Sequence, residues 1–180
     1  MAFDTPNGTR GARQPGRNRL ERWANLRMAE HVRRKGTRRG DILVIVTVGK
    51  RSGLERITPV RWFPDTGHGQ GQGPGEVEAE REGDTRLIVA SADGAARNPS
   101  WYYNIAAHPD RVRIEFAGHR IEVTPEQLHG AERAAAWRQI IARAKGFAKY
   151  EQTTDREIPV IRLTPRESGS GRSPTDLTAT

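Results

Sequence analysis

Apolar positions along this chain switch between a helical and an extended period, and the switches mark out its elements. From Arg19 to Lys35, Leu20, Trp23, Ala24, Met28 and Val32 recur at three- and four-residue steps, which predicts an amphipathic helix packing that stripe on the core. Arg33, Arg34, Lys35 and then Gly36 suit its C-terminus. Asp41 to Val48 (DILVIVTV) is an unbroken β-branched run, the pattern of a strand covered on both faces. Arg56 to Phe63 reads as a second strand in which Pro59 implies an edge, a bulge or an interrupted ladder. Asp84 to Ala90 is a third strand. It leads through the small residues Ser91 to Gly94 into a helix ending near Ala107, with Asn98 as its cap and Pro99 at its first position.

Arg111 to Phe116 and His119 to Thr124 alternate around Ala117-Gly118, a hairpin with Val112, Ile114, Phe116, Ile121 and Val123 inward. Thr124-Pro125 reads as the start of a turn. Gly130 to Lys145 predicts a helix with Trp137, Ile140, Ile141 and Ala144 on one stripe, broken at Gly146. Phe147 and Tyr150 fall on a short irregular or helical segment, and Ile158 to Leu163 is a closing strand. Hairpins dominate and no Gly-rich strand-to-helix phosphate loop is present, which argues against a doubly wound nucleotide fold. The expected class is α+β: a small split or closed β-barrel, mostly antiparallel, with helices packed outside. Residues 19–164 would form this one domain, with 64–83 a mobile Gly- and Glu-rich insertion. The segments 1–18 and 165–180, poor in apolar residues, would be disordered tails.

Composition narrows the chemistry. The 180 residues contain no cysteine, which removes disulfides and thiolate metal sites and fits a reducing cytoplasm. The N-terminus lacks the apolar segment of a signal peptide, and apolar runs are of strand length, too short for a membrane-spanning helix. A net charge of +8 suits either a solvated basic protein or an acidic partner: nucleic acid, anionic lipid, or a small ligand carrying phosphate and carboxylates. No helix-turn-helix or zinc pattern supports specific nucleic-acid binding. The basic N-terminal helix has an option of peripheral contact with a membrane surface at its inner face, against the plainer reading that its stripe packs on the core. His68 has no second ligand at useful spacing, so no metal is expected.

Two stretches carry candidate chemistry. Leu87 to Asn104 combines a strand end, a turn of small residues and an aromatic helix start, a shelf for a flat ligand or an ordinary strand–loop–helix connection. Lys50 and Arg51 lie in a turn between Gly49 and Gly53, and Arg56 follows on the next strand, so that backbone N–H groups and a guanidinium fork can meet one anion. No nucleophile–base–acid set is legible, Ser91, Asp93 and His108 included, nor are suitably paired carboxylates. An enzyme with this inventory would take its chemistry from a cofactor.

Gly49-Lys50-Arg51-Ser52-Gly53 with Arg56 and Pro59, then Val89-Ala90-Ser91, then Asn98 to Asn104 (NPSWYYN), then Tyr150 and Thr154 to Val160 (TDREIPV), resembles the deazaflavin-dependent nitroreductase family in order and spacing across roughly Asp41 to Leu163. The resemblance implies the split barrel of flavin-binding oxidoreductases and coenzyme F420 as cofactor, with FMN as the alternative. It implies that Lys50, Arg51, Ser52 and Arg56 hold the anionic tail, and that Ile57, Thr58, Pro59, Val60 and Arg61 line the groove. Val89, Ala90, Ser91 and Ala92 would run beside the ring, with Ser100, Trp101, Tyr102, Tyr103, Asn104 and Phe147 on its other sides. Ser91 and Tyr150 are the implied catalytic residues. The implied reaction is hydride transfer from reduced F420 to a quinone, an enone or a nitro compound, by a monomer or homodimer. A non-catalytic carrier of F420 or FMN is the alternative. Ala92 stands where some relatives carry a lysine, and of the tyrosines found near the final segment in nitroimidazole-reducing relatives only Tyr150 is matched. The acceptor pocket is therefore expected to differ from theirs.

Overall fold

In the computed structural model, residues 3–15, 19–37, 40–67 and 84–166 are described. Helix α1 (Arg19–Lys35) precedes strands β1 (Ile42–Val48), β2 (Glu55–Pro64) and β3 (Arg86–Val89). A 3-10 turn at Ala92–Gly94 and helix α2 (Ser100–Ala107) follow, then β4 (Arg113–Phe116) and β5 (His119–Gln127). Helices α3 (Gly130–Arg143) and α4 (Gly146–Thr153) lead into β6 (Val160–Pro165). The strands close into an antiparallel barrel in the order β1-β2-β3-β6-β5-β4.

Alternation along the strands separates two apolar clusters. Ile88, Ala90, Ile161 and Leu163 join Leu43 to Val46, Ile114, Phe116 and Val123 in one, which α1 and α2 extend. Leu87, Val89 and Val160 face the other way, in one cluster with Trp137 and Ile140 of α3 and with Ala144 just past its end. Each such fully buried aliphatic contributes about 1.5–3 kcal/mol over exposure. The hairpin and α3 stripes therefore bury as their periodicity implied.

The barrel is open along part of one seam. β2 pairs with β1 from Glu55 to Arg61, but meets β3 only through Trp62, Phe63 and Pro64. Pro59 sits opposite Val44 in the part that has a neighbour on one side only, where a missing N–H costs no second ladder.

Four expectations change. Of the expected α1 stripe Val32 is buried, together with Ala29, whereas Leu20, Trp23, Ala24 and Met28, with Leu26, stay exposed, so only the end of the helix packs on the barrel. Pro125 does not start a turn: β5 runs through it and pairs it with Leu163, past the point where β4 has ended opposite Glu122. Asn98 makes no cap on α2, whose N-cap position is Pro99; its side chain is used elsewhere. Residues 3–15 are not a loose tail. They bond along the turn after β3 and against Asp155, with a parallel bridge from Ala12 to Ala95. The insertion 68–83, with His68, and the segment 167–180 lie outside the described residues, while Pro64 to Thr66 are held on α3 by Gln139.

Candidate functional site

The β1–β2 turn is built by its glycines. Gly49 N–H donates to Leu54 O at 2.8 Å, and Gly53 N–H to Gly49 O at 2.8 Å with Gly53 at φ +66°. A Cβ on Gly49 would stand 2.6 Å from Ser52 Oγ. That hydroxyl accepts from Arg56 Nη2 at 3.2 Å and from Leu54 N–H at 3.4 Å, which folds the Arg56 guanidinium back over the turn. Lys50 N–H donates to Asn104 Oδ1 at 3.0 Å, and Asn104 Nδ2 donates to Thr47 Oγ1 at 3.1 Å. Asn104 and Thr47 are both buried, so one side chain of α2 pins the turn to the barrel. Lys50, Arg51 and Arg56 remain exposed, and no described carboxylate pairs with them. Arg33, Arg113 and Arg162 each have a carboxylate partner.

Ile57, Thr58, Pro59 and Val60 are half-buried along the open edge of β2. Arg61 is exposed but engaged: its guanidinium pairs with Asp41 at 3.1 Å and lies 5.5 Å from the centre of the Phe63 ring.

Beyond β3 the backbone enters the left-handed region for three residues running, Ala92 (φ 46°), Asp93 (φ 53°) and Gly94 (φ 76°). For the two non-glycine residues this costs about 1–2 kcal/mol each, so neighbouring contacts must hold the turn. Arg156 supplies them. Its Nε donates to Ala95 O at 2.9 Å, Nη1 to Asn98 Oδ1 at 2.8 Å, and Nη2 to Ala90 O at 3.0 Å and Ser91 O at 2.6 Å. Arg156 is buried and takes no carboxylate among the described residues; burial lowers its pKa. The cation is satisfied by oriented carbonyl dipoles instead. Ser91 is half-buried, and among the described residues no partner engages its hydroxyl.

Helix α4 closes this end. A Cβ on Gly94 would lie 3.1 Å from Thr153 Cβ and 3.3 Å from Tyr150 Cα, so the helix rests directly on the turn. Phe147 meets Phe63 and Tyr150 edge to face, with ring centres 5.5 and 5.4 Å apart. Burial, and then the neighbouring Asp93 carboxylate, push the Tyr150 hydroxyl up in pKa.

The fold thus gathers the expected residues into two groups linked by α2: the cationic turn at Lys50–Arg56, and the strained turn at Ser91–Gly94 with Phe147 and Tyr150. Not all of them face a groove. Val89 is buried against α3, and Ala90, Trp101 and Tyr102 are buried in the barrel cluster. Tyr102 Oη donates to Gln127 Oε1 at 2.7 Å and accepts from Thr5 N–H at 3.0 Å. These four back the wall from behind. Tyr103 is half-buried and bonds Asn7 through its hydroxyl, and Ser100 is exposed at the start of α2. Sequence reasoning missed Arg156, Asn98 and residues 5–12 as builders of the site. Only the TDREIPV stretch pointed toward Arg156. An open depression of about 430 Å³ lies elsewhere, between the end of α1 and the β4–β5 turn. Its walls include the paired ions Arg33 and Glu115, and it is no part of this arrangement.

The arrangement suits a ligand with an anionic tail: exposed cations without a carboxylate partner among the described residues at one end, small residues and hydroxyl groups at the other. Among the described residues no three His, Asp or Glu side chains converge as metal ligands, and no helix is long and apolar enough to cross a membrane.

Comparison with known proteins bears on this site. Residues 72–165 match the family model of F420H(2)-dependent quinone reductases. An F420H(2)-dependent quinone reductase of Mycobacterium tuberculosis is 43% identical over 90 residues, 48% of this chain and 59% of that relative's length. This chain therefore covers under two thirds of the relative. A solved F420-H2 dependent reductase superposes with a TM-score of 0.53 at 27% identity, covering 68% of this chain and 93% of its own. A structure described as a domain-swapped dimer, 24% identical, shares the fold with a TM-score of 0.53 over 80% of this chain and 96% of its own. The family match takes in Val89 to Asn104, Phe147, Tyr150 and Arg156; Lys50 to Arg61 lie ahead of it.

Proposed function

Since the chain belongs to the F420H(2)-dependent quinone reductase family, we propose that it is an oxidoreductase that uses reduced coenzyme F420 to reduce a small electrophilic acceptor: a quinone, an enone or a nitro compound. The observation that carries this reading is the pairing of an exposed, carboxylate-free cationic turn with a strained small-residue turn, joined by α2. When bound, the reduced deazaflavin supplies the hydride.

The chain's own residues bind, orient and exclude water. Lys50, Arg51 and Arg56 offer charge to the anionic tail, and Ser52 and Asn104 hold that turn in place. Ile57 to Val60 offer a half-buried edge to the body of the cofactor. Ser91, whose hydroxyl no described residue engages, and Tyr150 offer hydroxyl groups to an acceptor oxygen as negative charge develops on it. Phe63 and Phe147 keep water from that end.

The test is a titration of purified protein with F420 and with FMN, followed by oxidation of reduced F420 in the presence of each acceptor class. Tight FMN binding without F420 binding would refute the cofactor assignment. F420 binding with no acceptor turned over would leave a carrier. The outer face of α1 favours a second, compatible reading. Leu20 is 72% and Trp23 59% exposed, and Arg27 lies over the Trp23 ring. This apolar and basic face suits contact with an anionic membrane surface, which on this reading is the inner face seen from the cytoplasm.

A further inference from the structure

We infer that residues 3–14 form a clasp with which this chain sets the shape of its own ring-side wall; the inference rests on the reading above for what that wall binds. The turn Gly94–Asn98 is held from two sides at once. On one side the N-terminal segment reaches it: Ala12 N–H donates to Gly94 O at 2.9 Å and Gly8 N–H to Ala96 O at 2.8 Å. Between those two carbonyls, Ala95 O is taken by Arg156. Successive carbonyls are thus shared out alternately between the clasp and the buried guanidinium. Both also meet on one residue. Asn98 Oδ1 accepts from Arg156 Nη1 at 2.8 Å, while Asn98 Nδ2 donates to Thr5 O at 3.0 Å and Asn98 N–H to Asn7 Oδ1 at 3.1 Å. Asn7 Oδ1 also accepts from Tyr103 of α2 at 2.6 Å, which ties the clasp to the far wall.

The fastening is Asp155, next to Arg156 in the chain. Its carboxylate accepts from Thr9 N–H at 2.9 Å, Thr9 Oγ1 at 2.5 Å and Arg10 N–H at 3.0 Å. Thr154 Oγ1 adds a bond to Arg10 O at 3.0 Å. The clasp depends on two glycines for close approach. A Cβ on Gly8 would stand 2.1 Å from Asp155 Oδ1, and one on Gly11 2.2 Å from Ala96 N. The second clash is with backbone and cannot be relieved by a rotamer change. All of these N-terminal residues lie outside the family-matched segment, so on this inference part of the cofactor affinity is set by a device beyond it.

The test compares the full chain with Gly11→Ala, Thr9→Ala and Thr9→Ser. Hydrogen exchange at residues 94–98 is read in the free protein, and F420 affinity by titration. Gly11→Ala and Thr9→Ala are expected to speed that exchange roughly tenfold or more and to weaken F420 binding about fivefold or more, with cooperative melting of the barrel retained. Thr9→Ser, which keeps the hydroxyl, should restore both. Unchanged exchange in Gly11→Ala overturns the clasp, and so does faster exchange with F420 affinity equal to wild type. If the wild-type protein does not bind F420, the function reading fails separately. The exchange comparison in the free protein then still decides whether the clasp shapes the turn. If Gly11→Ala does not fold, the two Thr9 variants carry the same decision.

Discussion

Replacing Arg156 by methionine tests the physical argument most directly, because it removes donors while keeping an unbranched apolar stem in the buried site. Four bonds of 2.6–3.0 Å disappear, to Ala95 O, Asn98 Oδ1, Ala90 O and Ser91 O. Hydrogen bonds made by a charged group contribute about 1.5–3 kcal/mol each, a gross loss of roughly 6–12 kcal/mol. Against this, the variant no longer buries a guanidinium, which returns several kcal/mol. A net loss of about 3–5 kcal/mol remains, or roughly 6–20 °C in Tm for a domain of this size. The left-handed pair Ala92-Asp93 should relax, and with it the position of Tyr150 against Gly94. Thermal unfolding and F420 titration well below the transition measure the two effects. Arg162→Met is the control. That guanidinium is equally buried but bonds Asp65, Glu126 and Glu132 at the base of the insertion, away from the strained turn. It should lower Tm by several degrees with F420 affinity intact. Equal loss of binding in both variants, or an Arg156→Met protein with wild-type Tm, would refute the reasoning.

Other outcomes follow from the same geometry. Asn104→Ala removes the acceptor of Lys50 N–H and the donor to the buried Thr47 hydroxyl, and should weaken F420 binding about 5–10-fold, read by titration, with a Tm loss of a few degrees. Asp155, held by Thr9 and Arg10 at a pKa of about 2 against its ordinary 3.8, stabilises the clasp fully above about pH 4 and loses that contribution as pH falls through 2. Carboxyl NMR should show the low midpoint, and Asp155→Asn should abolish this part of the acid dependence of exchange at 94–98. Leu20→Ser with Trp23→Ser should leave Tm within about 2 °C, since both side chains are exposed, and should cut retention on anionic vesicles without changing F420 affinity.

The barrel was legible because β1 is an unbroken β-branched run, buried along almost its whole length, and β5 alternates buried and exposed residues at a period of two. The bounds of α1 were legible too, but of its buried face only Val32 was. Leu20 and Trp23 dominate any stripe scored by hydrophobicity, whereas the side facing the barrel is made by the smaller Ala29 and Val32. The cationic turn could be read from its two glycines and three cations, because turn geometry is local. Arg156 could not be given its role, because all its acceptors but Asn98 are backbone carbonyls, which have no sequence identity. The N-terminal segment was misread for a related reason. Glycine, asparagine and threonine are the composition of a loose tail. They are also what a segment needs to lie on another backbone at contact distance and bond along it.

Net charge misleads here in an instructive way. A surplus of +8 invites an acidic partner spread over the whole surface. Yet the fold consumes many of its cations. Arg86 lies over the Trp62 and Phe116 rings, Arg113 bridges Glu55 and Glu115, Arg162 gathers acidic groups from three elements, and Arg156 serves the turn. Arg113 holds Glu55 below the usual carboxylate range, which marks that pair as structural charge. The field that a ligand meets is set by which cations are left over beside a groove. Lys50, Arg51 and Arg56 qualify because Asn104 and Ser52 hold their turn through uncharged bonds, leaving full positive charge facing outward. A site for an anionic tail therefore needs neutral fasteners near its cations: a carboxylate in place of Asn104 could still accept from Lys50 N–H, but it would lose the amide donor to Thr47 and cancel part of the turn's charge.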